Sequence, residues 1–234
     1  TEPSAAFSSD ANTSLLIHMD GSNDGTTFTD ISSNTHTVTV GGNIVTKTGE
    51  KKFGTASGYF NGGSGNKLTV ADHASLRFGT EDFTIEAWVY PVSAGGSQEN
   101  MIVCKGDAST YWMLRHEENN VQGRVRWQAD QGGASVVDIK VDLGSSRWAY
   151  DTWHHVAVVA TSTVHTLYVD GKAIGGDVPK VANWDFNTGD PIVIGNNTYS
   201  DPAVYGYIDE VRISKGVARK TTGHFTPPTA LFEA

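Results

Sequence analysis

The side chains best suited to recognition chemistry in this 234-residue chain are arginines, an amide and tyrosines placed two residues apart. Arg124, Arg126 and Gln128 alternate with Val125 and Trp127, while Tyr111, Met113 and Arg115 alternate with Trp112 and Leu114. Successive side chains of a strand point to opposite faces. If the apolar set is core, Arg115, Arg124, Arg126 and Gln128 share the other face, with Tyr111 beside them. Planar guanidinium and amide groups bond hydroxyls and carboxylates, and nearby rings stack, which is the chemistry needed to hold a sugar. Tyr199, in a late polar loop, is an exposed-aromatic candidate for the same ligand, and Tyr205 reads as a loop anchor. The same residues also suit a solvated sheet face with cross-strand charge pairs, because antiparallel sheets commonly expose one polar face.

Patterns for catalysis are weak. Glycoside hydrolysis needs two carboxylates flanking the scissile bond. The run EDFTIE (Glu81–Glu86) has the wrong spacing, and Asp209 and Glu210 are expected on opposite faces. HEEN at His116 is not the H-E-x-x-H of a zinc protease. His154 and His155 are adjacent on a strand and face opposite ways, so one is expected buried with a hydrogen bond and the other exposed. Neither a G-x-S-x-G motif nor a phosphate-binding glycine loop before a helix is present.

The balance of 26 Asp+Glu against 17 Lys+Arg gives a net charge of −9, which opposes general binding to nucleic acid or to an anionic membrane. It leaves carboxylates for cations. One cysteine, Cys104, excludes an internal disulfide, and its neighbours Ile102 and Val103 suggest a buried, inert thiol. No run is long and apolar enough to span a membrane, so no membrane insertion is expected. No signal peptide is visible, as expected of a mature product or a cut fragment.

These side chains need strands to position them, and the sequence supplies little else. Thr152–Lys172, TWHHVAVVATSTVHTLYVDGK, reads as a hairpin strand pair followed by a tight turn at Asp170-Gly171, with Trp153 as a core anchor where the first strand enters. Phe83–Tyr90 is a long strand whose core face is Phe83, Ile85, Ala87 and Val89, and whose other face is Thr84, Glu86, Trp88 and Tyr90. Short strands are expected at Ser14–Met19, Thr37–Val40, Ile44–Thr46, Lys67–Val70, Met101–Lys105, Tyr111–Arg115, Arg124–Gln128, Val136–Val141 and Arg147–Tyr150. Ala71–Phe78 holds the only helical turn, and Trp184 and Phe186 anchor a long loop. Residues 1–12, rich in Ser and Ala, read as an arm or linker, and residues 13–234 as one domain. Many short strands without helices predict an all-β protein, an antiparallel β-sandwich of jelly-roll type.

Four stretches in order, FTIEAWVYP (Phe83–Pro91), Thr152–Lys172, IVIGN (Ile192–Asn196) and GYIDEVRIS (Gly206–Ser214), resemble the laminin-G-like, concanavalin A-like jelly-roll family. The resemblance runs from about Ser14 to Phe232. It implies that Ser14–Met19 lies beside Gly206–Ser214 in one sheet. It also implies a structural Ca²⁺ between Asp20 of HMDG and Asp209 of YIDEV, with a carbonyl from the Asn61-Gly62 turn and with Asp24 and Asp30 in reserve. Oxygen ligands of this kind are what a hard cation takes. Asp at a strand end is also a common turn former.

Since this fold serves lectins, adhesins, enzymes and inert modules, function rests on the site. The preferred expectation is a non-catalytic, lectin-like module whose partner is a glycan or cell-surface polysaccharide. A structural module contacting neighbouring subunits of a virion or adhesin is the second expectation, and a polysaccharide hydrolase or lyase the third. The closing segment SKGVARKTTGHFTPPTALF is similar to the ends of such domains in phage tail, virion and marine bacterial secreted proteins, which implies an extracellular or virion-surface location.

Overall fold

A computed structural model describes residues 7–93, 99–117, 123–179, 189–197, 203–219 and 232–233. In chain order the strands begin with β1 (Phe7–Ser8), β2 (Thr13–Ile17), β3 (Val38–Gly41), β4 (Val45–Lys47), β5 (Ser57–Asn61) and β6 (Lys67–Val70). Then follow β7 (Phe83–Pro91), β8 (Glu99–Gly106), β9 (Tyr111–Glu117), β10 (Arg124–Gln131) and β11 (Ala134–Asp142). The rest are β12 (His154–Ala160), β13 (Val164–Val169), β14 (Lys172–Pro179), β15 (Ile192–Ile194), β16 (Tyr205–Lys215) and β17 (Phe232–Glu233). A single 3-10 turn, Ala74–Leu76, is the only helical element among the described residues.

Two antiparallel sheets form a sandwich. The front sheet runs β11-β10-β9-β8-β15-β6-β3, and the back sheet β14-β13-β12-β7-β16-β5-β4, with β2 also paired to β16. The first and last long strands are therefore neighbours, with Ile17 opposite Val211 and Leu15 opposite Ile213. β1 pairs in parallel with β17. Lys215 N–H donates to Asn12, and Arg219 donates to both carboxylate oxygens of Asp10 at 2.7 and 2.8 Å, so residues 10–12 are fastened to the end of β16. Residues Arg147–Tyr150 form a turn instead of the expected strand, because the Gly144 carbonyl accepts from the N–H groups of both Arg147 and Trp148. The β13–β14 hairpin closes at Asp170 and Gly171 with φ of 48° and 72°, the left-handed pair that a two-residue turn needs.

Between the sheets, most inward positions of the long strands are apolar. Phe83, Ile85, Ala87 and Val89 of β7 face Trp112, Leu114, Val125 and Trp127 of β9 and β10 within one core. Phe78 stacks on Phe83 with centroids 4.2 Å apart. Each such buried side chain contributes on the order of 1.5–3 kcal/mol. Imidazoles enter this core: His165 accepts a hydrogen bond from Trp127 Nε1 at 3.3 Å, and His116 and His154 pack against Trp148. Trp153 is not a core anchor. It precedes β12 at a position that faces away from the core, half-buried, with Nε1 donating to Glu50 Oε1 at 2.7 Å.

The outer positions of the back sheet are also buried. His154 and His155 are 5% and 0% exposed, so the expectation of one exposed histidine fails. His154 stacks on Trp148 and bonds Asp170, while His155 Nε2 lies 3.1 Å from Glu86 Oε2. Glu86 Oε1 accepts from Arg212 Nε at 2.9 Å, which makes a carboxylate shared by a guanidinium and an imidazole. All three groups lie almost wholly out of water. Charges at such depth persist only when paired, and removing one partner leaves the others uncompensated. Glu86→Ala should therefore cost about 3–5 kcal/mol in urea denaturation. A loss below about 1 kcal/mol would show that the network contributes little.

Candidate functional site

The register of β9 and β10 brings the arginine set together on the outer face of the front sheet. Arg126 stands opposite Arg115, Gln128 opposite Met113, and Arg124 opposite Glu117. Tyr111 stands opposite Asp130 and takes part in a chain in which Gln128 Nε2 donates to Tyr111 Oη at 2.7 Å and Tyr111 Oη donates to Asp130 Oδ2 at 2.8 Å. Each guanidinium meets carboxylates. Arg126 grips Asp138 through Nε and Nη2 at 2.7 and 2.9 Å, and Arg124 pairs with Asp142. Glu117, 3% exposed, accepts from Arg115 at 2.7 Å, Arg126 at 3.3 Å and Arg124 at 3.5 Å. Arg115 is itself buried, so the accessible part of the face is Tyr111, Arg124, Arg126 and Gln128. Beside it lies a buried apolar strip of Met101, Cys104, Met113 and Val193. Burial pushes the Cys104 thiol up to about 12, which keeps it protonated and unreactive. Tyr199 lies outside the described residues.

Asp20 and Asp209 are fastened by one short segment of backbone on the back sheet. Asp209 Oδ2 accepts from the N–H groups of Lys52 and Phe53 at 2.9 and 3.1 Å. Asp20 Oδ1 accepts from the Thr55 N–H, from Thr55 Oγ1 at 2.9 Å and from the Ala56 N–H at 3.3 Å. Asp209 Oδ1 is buried and has no hydrogen-bond partner among the described residues. Burial raises the Asp209 carboxyl well above the ordinary value, and the neighbouring Glu210 and Asp20 charges push the same way. Gly62 does not join this pair. Gly58 is opposite Ile208, so Gly62 lies four residues further along β5, roughly 13 Å away at the rise of a strand, in the direction away from Asp209. The reserve ligand Asp30 is buried against the backbone N–H groups of Leu16, Ser32 and His36, and Asp24 pairs with Lys47. Among the described residues no three His, Cys, Asp or Glu side chains gather as a metal cluster.

One constellation has no signal within any single stretch of sequence. Tyr207 stands opposite both Tyr59 and Tyr90 in the back sheet. His154 is opposite Val89, which sets Trp153 beside Tyr90. The result is a row of aromatic rings across β5, β16, β7 and the entry to β12. Ring centroids are 4.9 Å apart for Tyr59–Tyr207, 5.6 Å for Tyr90–Tyr207 and 5.4 Å for Tyr90–Trp153. All are half-buried, as is Tyr205 two residues before Tyr207 on the same face. The alternation in GYF, WVY, TWH and GYI shows an aromatic off the core face of each strand, and only the register between strands reveals the row.

The fold is that of an antiparallel β-sandwich, and comparison with known proteins agrees. The profile of the concanavalin A-like lectin/glucanases superfamily matches residues 61–221, and the chain belongs to that superfamily. No curated protein matches the sequence. Among solved structures, the binding domain of Paraclostridial Mosquitocidal Protein 1 superposes with a TM-score of 0.71 at 17% identity, over 90% of this chain and 50% of that one. The receptor binding domain of botulinum neurotoxin D superposes with a TM-score of 0.67 at 17% identity, over 88% and 50%. Domain 4 of AbnA, a GH43 extracellular arabinanase from Geobacillus stearothermophilus solved with arabinotriose, gives 0.62 at 16% identity, over 90% and 95%. The chain thus spans about half the length of the two toxin domains and nearly all of the arabinanase domain. At such identities the likeness is one of fold. Among the described residues no helix is long and apolar enough to cross a membrane.

The raised Asp209 carboxyl has a measurable consequence. A folded-state value above the unfolded one means that the folded chain holds the proton more tightly, so this group supports folding at low pH. That support is lost as pH rises from the ordinary carboxyl range toward the folded value. Asp209→Asn has no charge to lose. In chelator, its stability relative to the parent should improve between about pH 4 and about pH 8 in urea denaturation. An unchanged difference between the two pH values would mean that Asp209 ionises freely in the fold.

Proposed function

We propose that the chain is a non-catalytic, lectin-like module of an extracellular protein, and that its front face recognises polar glycans. The carrying observation is the array of Arg124, Arg126, Gln128 and Tyr111 on adjacent strands, each held by an acidic or hydroxyl neighbour. A sugar hydroxyl is both donor and acceptor. A guanidinium fixed beside a carboxylate, as in Arg126–Asp138, offers it both partners at once, already oriented. The acids of this face are poorly placed for catalysis, since Glu117 is enclosed by three guanidinium groups. The neighbouring receptor-binding domains and the domain solved with arabinotriose support a binding role. A glycan array should show saturable binding, and Arg126→Ala should weaken it about tenfold, the size of a lost charge-assisted contact, with an unchanged melting temperature. Unchanged binding in the mutant removes the front face from the site. An array with no ligand, together with self-association in solution, would favour a structural module instead.

We further propose that the back sheet binds a structural Ca²⁺ at Asp20 and Asp209. The partnerless Asp209 Oδ1 and the nearby Asp20 charge support this, because a hard cation would supply what the buried oxygen lacks. Backbone carbonyls would complete the shell, and the ion would fix the first strand to the last. Calcium should raise the melting temperature over EDTA by several degrees, at about 2–4 °C per kcal/mol for a chain of this size. Asp209→Asn should abolish the shift. Equal melting temperatures in the parent with and without calcium would exclude the ion.

A further inference from the structure

The aromatic row lies on the opposite side of the sandwich from the arginines, and no role described above uses it. Its rings point away from the core, since the intervening residues Phe60, Val89 and Ile208 are the core ones. An outer sheet face normally carries polar side chains. Here four adjacent strands each contribute a half-exposed Tyr or Trp in register, and Tyr205 extends the patch. Scattered exposed aromatics need no explanation, whereas a contiguous patch of them does.

Cross-strand packing accounts for part of this, at about 0.2–1 kcal/mol per aromatic pair. It does not account for the polar frame. Trp153 Nε1 holds Glu50 Oε1 at 2.7 Å, which leaves the carboxylate fixed at the edge of the row. Lys47, the cation nearest the tyrosines, is tied to Asp24 at 2.6 Å. Burial, then the Glu50 and Asp151 charges, keep the Tyr90 hydroxyl protonated above its ordinary range, and burial with Glu50 does the same for Tyr207. The row thus offers flat apolar rings, hydroxyl donors and an oriented acceptor, with the Glu50 and Asp151 charges at its Tyr90 end and Lys47 at its Tyr59 end. On its flank, Tyr90, Tyr205 and Tyr207 border a narrow crevice of about 10 Å³ that also reaches Asn100 and Trp148. Gly206, at φ of 143°, brings β16 close to β7 here, because a Cβ would strike the Tyr90 carbonyl oxygen.

We infer that the Tyr59–Tyr207–Tyr90–Trp153 row is a second carbohydrate subsite, for an uncharged oligosaccharide laid across the strands. The apolar C–H faces of successive sugar rings stack on the aromatics, and their hydroxyls bond the Tyr tips and Glu50. A row four strands wide suits a chain of rings better than a single compact cation, which needs an enclosing cage. At the Tyr90 end the Glu50 and Asp151 charges disfavour uronates, sulfated sugars and anionic lipid surfaces.

This inference rests on the glycan-binding reading but separates from it in experiment. The probes are neutral arabino-, xylo- and gluco-oligosaccharides, titrated against the whole chain by calorimetry. Trp153→Ala and Tyr207→Ala should each weaken binding of the best neutral ligand about tenfold or more, and Ser162→Ala, in the exposed β12–β13 turn, should leave it within about twofold. Tyr207→Phe keeps the ring and should retain most of the affinity, which separates stacking from a folding defect; unchanged circular dichroism and melting temperature complete that control. If the aromatic variants bind as the parent does while Arg126→Ala loses the ligand, the row is not a subsite and the front-face reading stands. If the parent binds none of the neutral sugars, the inference falls, whatever acidic glycans do. Binding to phosphatidylcholine vesicles that Tyr207→Ala abolishes, without sugar binding, would overturn it in favour of a lipid surface.

Discussion

Strand β16 has two neighbours along one edge, β5 beside Tyr205–Ile208 and β2 beside Val211–Ser214, while β7 runs along the other. A single regular strand serves both because the ladder shifts between Asp209 and Arg212. Glu210 takes the extra position at φ of 52°, a left-handed conformation that costs a residue with a Cβ roughly 1–2 kcal/mol. Its buried carboxylate lies 2.7 Å from His18 Nδ1, just past the end of β2, which ties the irregularity to the strand it admits. On the near side of the bulge β16 displays Tyr205 and Tyr207. On the far side it buries Arg212 against Glu86. At the bulge itself Asp209 meets the Lys52–Phe53 backbone. The aromatic surface, the ionic layer and the candidate cation site are thus three consecutive rungs of one strand.

The two outer faces solve the exposure of a sheet in different ways. The front face covers its backbone with a lattice of arginines and carboxylates, partly open to solvent and so sensitive to salt. The back face is roofed near its middle by the segment at Lys52 and Phe53, whose ammonium and ring pack on Trp88. Under that roof water is excluded, which is why Glu86, His155 and Arg212 must satisfy one another. Beyond its edge the aromatic row returns to solvent.

Alternation made much of this legible from residues alone. The parity of Arg124, Arg126 and Gln128 against Val125 and Trp127 assigned the front face, and FTIEAWVYP gave a core face that the sandwich contains. What alternation cannot supply is register and cover. Asp138 and Asp142 meet the arginines only because β11 folds back on β10 with a particular offset. Trp153 looked like core because a large apolar ring at a strand entry is usually buried, yet the hydrogen bond to Glu50 holds it outside. His154 and His155 were expected to differ because a two-sided sheet was assumed to be wet on one side, and the roof removes that difference. The family resemblance set a carbonyl of the Asn61-Gly62 turn beside Asp209, but strand rise separates them. The aromatic row needed the registers of four strands that are far apart in sequence.

The attachment of Asn12 to Lys215 and of Asp10 to Arg219 puts the two ends of the sandwich at one corner. β2 and β16 run antiparallel from that corner, with Thr13 opposite Ser214 as the first rung. Tension applied through these ends does not shear the ladder along its length. Once the β1–β17 pair has parted, it peels it, breaking the Asp10–Arg219 ion pair and then one pair of backbone bonds after another. Pulled at this corner, the β2–β16 ladder behaves mechanically as a zipper.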